Sequence, residues 1–286
     1  MKKNLLIVVI LAVCSIEMVK GQTVADSLAI VSACWKIENF QKGIVYKYAS
    51  IPQLYQGPQS ISLIEIDPVA GLKVGVAVSD KMKETSKIAS EYNAIAAING
   101  SYFDMKRGNS VCFLKADRQI IDTTMQSEFK LRVTGAINVR KGKIKLIPWS
   151  KQIEKEYEGE TGMVLASGPL MLKDGQICDW NSCGANFIRT KHPRSAVATT
   201  KEGKILLITV DGRFPEQAEG VNIPELAHLI RILGGEDALN LDGGGSTTLW
   251  LSGASDDGVV NYPCDNGRFD HAGERKVPNI LYITHQ

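Results

Sequence analysis

Ala238-Leu-Asn-Leu-Asp-Gly-Gly-Gly-Ser-Thr-Thr-Leu-Trp-Leu251 is the stretch around which the chain arranges itself. A short apolar run, Ala238 to Leu241, delivers Asp242 into three consecutive glycines, and a second, Thr247 to Leu251, leaves on the far side. Each glycine costs backbone entropy to order, a cost accepted where backbone passes close to another group or takes up positive φ. Successive glycine N–H groups also form an anion-binding concavity. Asp-Gly by itself is an ordinary hairpin signal. The full run, Asp242 with Gly243, Gly244, Gly245, Ser246 and Thr247, reads as the floor of a binding cleft.

Outward from this stretch the same design repeats: polar residues stand where apolar strands stop. Asn99-Gly-Ser-Tyr-Phe-Asp104 follows Ala94–Ile98, and Ser167-Gly168-Pro169 interrupts a strand read over Met163–Leu172. His192-Pro-Arg-Ser195 opens Ala196–Thr200, and Asp211-Gly-Arg213 closes Ile205–Val210. Period-two alternation marks Ser62–Ile66 and Lys73–Val78 as strands. Turns of Gly and Asp, such as Lys141-Gly142 and Lys201-Glu-Gly203, join hairpins. Helices are fewer. Asp26–Phe40 has weak helical periodicity, Thr85 is placed to cap a helix through Asn93, and Asn222 caps a helix begun by Pro224. Leu226, Leu229, Ile230 and Leu233 line the buried face of that last helix, and Gly234-Gly235 stop it. A helix, a short strand and Asn99-Gly100 echo a helix, a short strand and Asp242-Gly243. The expectation is an α+β fold with a mostly antiparallel sheet, two helix-on-sheet halves facing one cleft.

The chain has 286 residues, 44% hydrophobic and 22% charged, with a net charge of +2. That suits one large domain with a small extension and predicts neither nucleic-acid binding nor a polybasic membrane patch. Lys2-Lys3 before the apolar Leu5–Val13, with small residues up to Gly21, predict a secretory signal over residues 1–21 and hence export to the periplasm or cell surface. Cys14 opens a lipoprotein alternative, against which the bulk of Val13 counts. No later segment predicts a transmembrane helix. Of the remaining cysteines, Cys178 and Cys183 bracket a short loop and form the expected disulfide, and Cys112 reads as a small buried hydrophobe. Nothing in the sequence specifies an oligomeric state.

The strand-end loops carry carboxylates (Asp104, Asp211, Asp242), arginines (Arg194, Arg213, Arg275), small hydroxyls and backbone amides. Arginine forks match phosphate oxygens in pairs, and paired carboxylates suit acid–base work on a glycosidic oxygen. Together they point to a substrate carrying phosphate and sugar. Gly-x-Ser-x-Gly, His-Glu-x-x-His and P-loop patterns are absent. His228 reads as structural, and His192 is the histidine placed near the site. Asp104, Asp211 and Asp242 with Asn99 would offer oxygens to Ca²⁺ or Mg²⁺, although the nearby arginines argue against a strongly acidic pocket.

Asn99-Gly-Ser-Tyr-Phe103, Ala166-Ser-Gly-Pro-Leu-Met-Leu-Lys-Asp-Gly175, His192-Pro-Arg-Ser-Ala-Val197, Val210-Asp-Gly-Arg213, Leu239-Asn-Leu-Asp-Gly-Gly-Gly-Ser-Thr248 and Glu274-Arg-Lys-Val-Pro-Asn279 occur in one order. In that order they resemble the phosphodiester glycosidase family, over about Ile88 to Ile283. Ser101, Tyr102 and Ser195 stand where glycine, phenylalanine and threonine are common in the family. The resemblance implies a catalytic domain over 88–286, preceded by an extension with the first strands over 22–87. It also implies an enzyme that hydrolyses a sugar-1-phosphate diester at the anomeric carbon without a cofactor or metal. Asp242, and Asp211 second, would then be the catalytic carboxylates. Arg194, Arg213, Arg275, Asn99, Asp104, Ser167, Gly168 and the Gly243–Thr247 run would hold the phosphate-linked carbohydrate. Two rival readings are a metal-assisted phosphodiesterase and a non-catalytic module that binds envelope glycan.

Overall fold

The structure, a computed structural model, describes residues 23–67, 71–116, 118–159 and 162–285. The expected signal and the lipoprotein Cys14 lie outside the described residues, as do Pro68–Ala70 and Asp117. Three sheets are built among the described residues, of eight, five and four strands, and every strand pair is antiparallel. This is the α+β architecture the alternating sequence expects.

The eight-stranded sheet runs Lys36–Gln41, Ile44–Leu54, Gly57–Ile66, Ile205–Val210, Arg194–Thr200, Gly235–Asn240, Leu170–Lys173 and Gln176–Ile177, in that spatial order. Side chains alternate between its faces, as the pleat requires. Val197, Leu207 and Leu239 enter a central core shared by all three sheets. Ala196, Ala198, Leu206 and Ile208 enter a second core beneath the helices Val24–Val31 and Ile223–Ile232. The four-stranded sheet orders Leu249–Leu251, Ala96–Asn99, Lys276–His285 and Leu72–Glu84, with the helix Thr85–Glu91 against it. The five-stranded sheet holds Gln119–Asp122, Leu114–Ala116, Met163–Ser167, Gly135–Arg140 and Lys143–Pro148. Strands from before residue 88 thus enter two of the three sheets.

Several local expectations change. Helix in the Asp26–Phe40 stretch is confined to Val24–Val31, closed by a capping box between Thr23 and Asp26, and Lys36–Gln41 is an edge strand. Thr85 does not cap its helix; it is the first helical residue. The role passes to Glu274, whose carboxylate accepts from Ser86 N (3.0 Å) and Ser86 Oγ (2.5 Å) from 188 residues away. Met163–Leu172 is two strands in two sheets: Ser167 pairs with Gly135 and, past the cis Gly168-Pro169 bond, Leu170 pairs with Leu239. Cys178 and Cys183 are both free thiols, like the other described cysteines. Asn222 and Glu225 form the capping box expected at Ile223–Ile232.

Candidate active site

The two echoed strand ends meet. Asp242 N donates to Gly100 O (3.0 Å), and Asn99 Nδ2 donates to Asp242 O (2.7 Å). Asn99 Oδ1 also accepts from Ser195 Oγ (2.6 Å) and Thr248 N (3.1 Å). The Asn99, His192–Ser195 and Asp242–Thr248 segments are therefore knotted together by one fully buried amide. Around it, Asn240 Nδ2 donates to Gly168 O (2.9 Å) and Leu241 O (2.7 Å), and Tyr102 OH donates to Gly168 O (2.6 Å). Such a polar network, with only the Asn240 Oδ1 among the amide atoms named left without a partner, fixes the geometry of the residue it surrounds.

That residue is Asp242. Its carboxylate accepts from Gly243 N (3.0 Å), and the residue as a whole is half-buried rather than sealed. Burial pushes its pKa up, opposed by the Ser246 hydroxyl and by the charges of Arg132 and Arg275. The Ser246 contact is loose, since its Oγ reaches no partner in good hydrogen-bond geometry. A carboxyl whose pKa is raised by burial, with cations acting on it, is suited to general acid–base or nucleophilic work.

The glycines admit the cations. A Cβ on Gly244 (φ +61°) would stand 2.9 Å from Arg213 Nη2, and one on Gly245 would collide with the Arg275 guanidinium and the Asp265 carboxylate. Two arginines therefore lie directly on the glycine run. Arg275 is held by Asp265 Oδ1 (Nε 3.1 Å, Nη2 2.5 Å). Arg213, itself in the left-handed region (φ +71°) and exposed, points Nη1 at Cys264 Sγ (3.6 Å). Arg132 is a third. Its guanidinium lies 3.5 Å from the Tyr102 ring centroid, is paired with Glu128 (2.7 Å), and is the leading charge acting on Asp242. Sequence reading missed Arg132, because Phe129-Lys-Leu-Arg-Val133 carries no motif and only the fold brings it to the cleft.

The other expected site residues are placed differently. Asp211 is 0% exposed, and both its oxygens are occupied: Ser60 Oγ (2.7 Å), Asn261 Nδ2 (2.9 Å) and Tyr262 N (3.0 Å) donate to it. Burial raises its pKa to about 6 against those hydrogen bonds. It has no surface with which to meet a substrate. Asn99 is buried and committed to the knot. Arg194 is buried, donating to the carbonyls of Val221, Phe187 and Thr190 (2.9–3.1 Å), and burial lowers its pKa to about 10. Asp104 closes its own turn by accepting from Lys106 N (2.8 Å) and Arg107 N (3.2 Å). The Ser167, Ser246 and Thr247 hydroxyls are sealed from solvent. Gly168 lends its carbonyl to the knot, while Gly243 and Gly244 keep accessible backbone. His192 is half-buried, its pKa lowered by burial and by the charges of Arg194 and Arg213. His228, hydrogen-bonded to Tyr55 OH (2.7 Å) and Ser27 Oγ (3.0 Å), is structural as expected.

The oxygen cluster entertained for a divalent cation is not assembled. Asn99 and Asp211 spend their oxygens on protein donors, and among the described residues no group of three His, Cys, Asp or Glu is placed to hold a metal. The half-buried Asp242, the accessible Gly243–Gly244 backbone and the guanidiniums of Arg213 and Arg275 lie along one stretch, with the charge of Arg132 also acting on Asp242. That set matches an anionic group bonded next to a carbon open to attack.

The profile of the phosphodiester glycosidase family matches residues 92–284. The mouse N-acetylglucosamine-1-phosphodiester alpha-N-acetylglucosaminidase is 24% identical over 185 residues, 59% of this chain and 33% of that protein. The human enzyme of that name is 24% identical over 202 residues, 65% of this chain and 36% of that one. The chain thus spans about a third of the length of these curated relatives. In fold it is similar to the zebrafish catalytic domain of that enzyme, described as auto-inhibited by its pro-peptide, with a TM-score of 0.66 and 20% identity over 87% of this chain and 86% of that one. A hypothetical protein from Synechocystis gives a TM-score of 0.63 at 16% identity, over 88% of this chain and 64% of that chain. By the ordered motifs, the joint they build and the profile that spans them, the chain belongs to the phosphodiester glycosidase family.

Proposed function

We propose that the protein hydrolyses sugar-1-phosphate diesters at the anomeric carbon, releasing free sugar and a phosphate monoester. One observation carries this reading: Asp242, a half-buried residue, heads a glycine run on which the guanidiniums of Arg213 and Arg275 lie, and the charges of Arg132 and Arg275 act on its carboxyl. Glycosidases acting on ordinary acetals use two carboxyls, one to protonate the leaving oxygen. A phosphate leaving group departs as an anion and needs no such acid. Arg132, Arg213 and Arg275 hold its oxygens and stabilise the charge that grows as the C–O bond breaks. Asp242, ionised, either takes the proton from an attacking water or attacks the anomeric carbon itself. Asp211 positions the Arg213 loop through Ser60, Asn261 and Tyr262 and does not touch substrate. The N-terminal Lys2-Lys3 and Leu5–Val13 support export, so the substrate is an extracytoplasmic phosphate-linked glycan. Among the described residues no helix is long and apolar enough to cross a membrane.

The test is hydrolysis of a panel of sugar-1-phosphodiesters, GlcNAc first, in ¹⁸O water with and without EDTA. Label in the sugar, surviving EDTA and lost in Asp242→Asn, is the expected result. Label in the phosphate would overturn the reading in favour of a phosphodiesterase. Binding without turnover on every member would favour a glycan-binding module.

A further inference from the structure

The central strands run from the candidate site to a second feature at their far ends. Arg194–Thr200 starts at the site and finishes with Thr199 and Thr200 on the wall of a cavity of about 620 Å³. Gly235–Asn240 runs the other way, with Asp237 at the cavity and Asn240 just before Asp242. A strand of six residues spans roughly 20 Å, so the cavity is remote from Asp242. All three sheets contribute to it, and Ile66, Leu72, Val74, Leu146 and Ile283 form an aliphatic floor.

The rim is cationic. Lys73, Lys141, Lys143, Lys145 and Lys173 line the opening against one acid, Asp237, which Lys173 already pairs at 2.9 Å. The other four lysines make no ion pair among the described residues. Lysines on an edge strand such as Lys143–Pro148 also blunt sheet-to-sheet association, which would account for Lys143 and Lys145. It does not account for Lys73 and Lys141, which come from a different sheet and from a hairpin tip and are brought together by docking. Val74 N donates to Gly142 O (2.9 Å), and the Lys73 stem crosses Gly142, where a Cβ would stand 2.6 Å from Lys73 Cγ. The lining excludes other ligand classes. No aromatic ring faces the cavity for a sugar or base to stack on, and beyond the lysines and Asp237 the polar side chains are the hydroxyls of Thr199 and Thr200.

We propose that this cavity binds an anionic amphiphile, with its alkyl chain on the aliphatic floor and its phosphate or carboxylate head among the lysines. Apolar cavities of this size with a few convergent polar groups are typical ligand sites, and flexible ammonium groups suit a mobile anionic head. The inference does not depend on the reaction at Asp242.

Calorimetric titration of the protein with monomeric palmitate and palmitoyl-lysophosphatidylglycerol tests it, with octanoate, dodecyl maltoside and inorganic phosphate as comparisons. Binding of either long-chain anion, weakening with salt, is expected; binding of both assigns the site to any anionic head, and of lysophosphatidylglycerol alone to phosphate. Palmitate should exceed octanoate, by about fourfold for each added methylene that is buried. Lys143→Ser/Lys145→Ser and Lys73→Ser/Lys141→Ser should each weaken binding roughly tenfold or more, while Asp242→Asn leaves it unchanged. Dodecyl maltoside binding as tightly as palmitate, phosphate alone binding as tightly as either lipid, no binding by any lipid, or lysine variants that bind like wild type would each overturn the proposal.

Discussion

Asp211 and Asp242 occupy matching places in the sequence and opposite places in the physics. Each ends an apolar strand of the same sheet, each is followed by glycine, and burial raises the pKa of each. Asp211 meets Ser60, Asn261 and Tyr262, which take up both its oxygens and leave it 0% exposed. Asp242 meets one backbone N–H, is half-buried rather than sealed, and is acted on by the charges of Arg132 and Arg275, the second of which lies on the glycine run. The environment separates a carboxylate that holds a loop from one able to react. Which is which depends on residues far along the chain, Asn261 and Tyr262 for one and Arg132 for the other.

The sharpest way to break this comparison is to neutralise each carboxyl without changing its shape. Asp242→Asn should lower kcat by roughly 10³–10⁴-fold, within the range for removing a general base or acid, with unfolding behaviour close to wild type. In the wild type, kcat/KM should rise with pH through a pKa above the usual carboxylate range, because burial raises that of Asp242. An Asp242→Asn variant that retains most activity would return the role to Asp211.

Asp211→Asn should keep substantial activity, since the amide oxygen accepts from Asn261 and Tyr262 while its NH₂ donates to Ser60. Asp211→Ala should instead destabilise by about 3–5 kcal/mol, because it leaves three buried donors unpaired; denaturant unfolding measures it. The charge adds a pH dependence. Asp211 titrates near 6 in the folded protein against 3.8 for the free group. Between those values the folded state holds a proton that the unfolded chain has released. Its stabilising effect is therefore complete below about pH 4 and lost as pH rises through 6, a change of roughly 3 kcal/mol. Tm measured from pH 4 to 7 should fall more steeply for wild type than for Asp211→Asn. Parallel curves would mean that Asp211 is not raised.

Arg213→Ala should cost roughly 10²-fold in kcat/KM on a phosphodiester, as loss of one preorganised donor does. Its loop would stay in place, because Asp211 anchors that loop independently. If the arginines bind the leaving phosphate, a substrate with a neutral leaving group should lose much less.

How much of this the sequence shows follows from the same contrast. Strand ends, turns, the capped helix at Asn222 and the Asp242 run are local patterns, and they are legible. The quoted motifs are legible too, but what Asn99, Tyr102, Ser195 and Asn240 encode is the hydrogen-bonded joint, not contact with a ligand. A polar residue at a strand end looks the same in sequence whether its partner is substrate or a backbone carbonyl. Arg194 is the clearest case, since its guanidinium is spent on three protein carbonyls. Glu274 capping a helix 188 residues earlier and Arg132 reaching the cleft are both tertiary events with no local signature. The break in Met163–Leu172 is partly legible in Gly168-Pro169, but the transfer between sheets is not.

The smallest effect tests the glycine run alone. Gly234 (φ +90°) and Gly244 (φ +61°) both occupy the left-handed region, where a side chain costs about 1–2 kcal/mol. A Cβ on Gly234 meets nothing within 4 Å, whereas one on Gly244 meets Arg213 Nη2 at 2.9 Å. Gly234→Ala and Gly244→Ala should therefore lose similar stability in denaturant unfolding. Only Gly244→Ala should raise KM, because the guanidinium must give way where the phosphate would sit. Equal kinetics in the two variants would show that the glycines at the Asp242 turn serve the backbone alone, as the Asp211 turn does, and the distinction between the two loops would then rest on the carboxylates themselves.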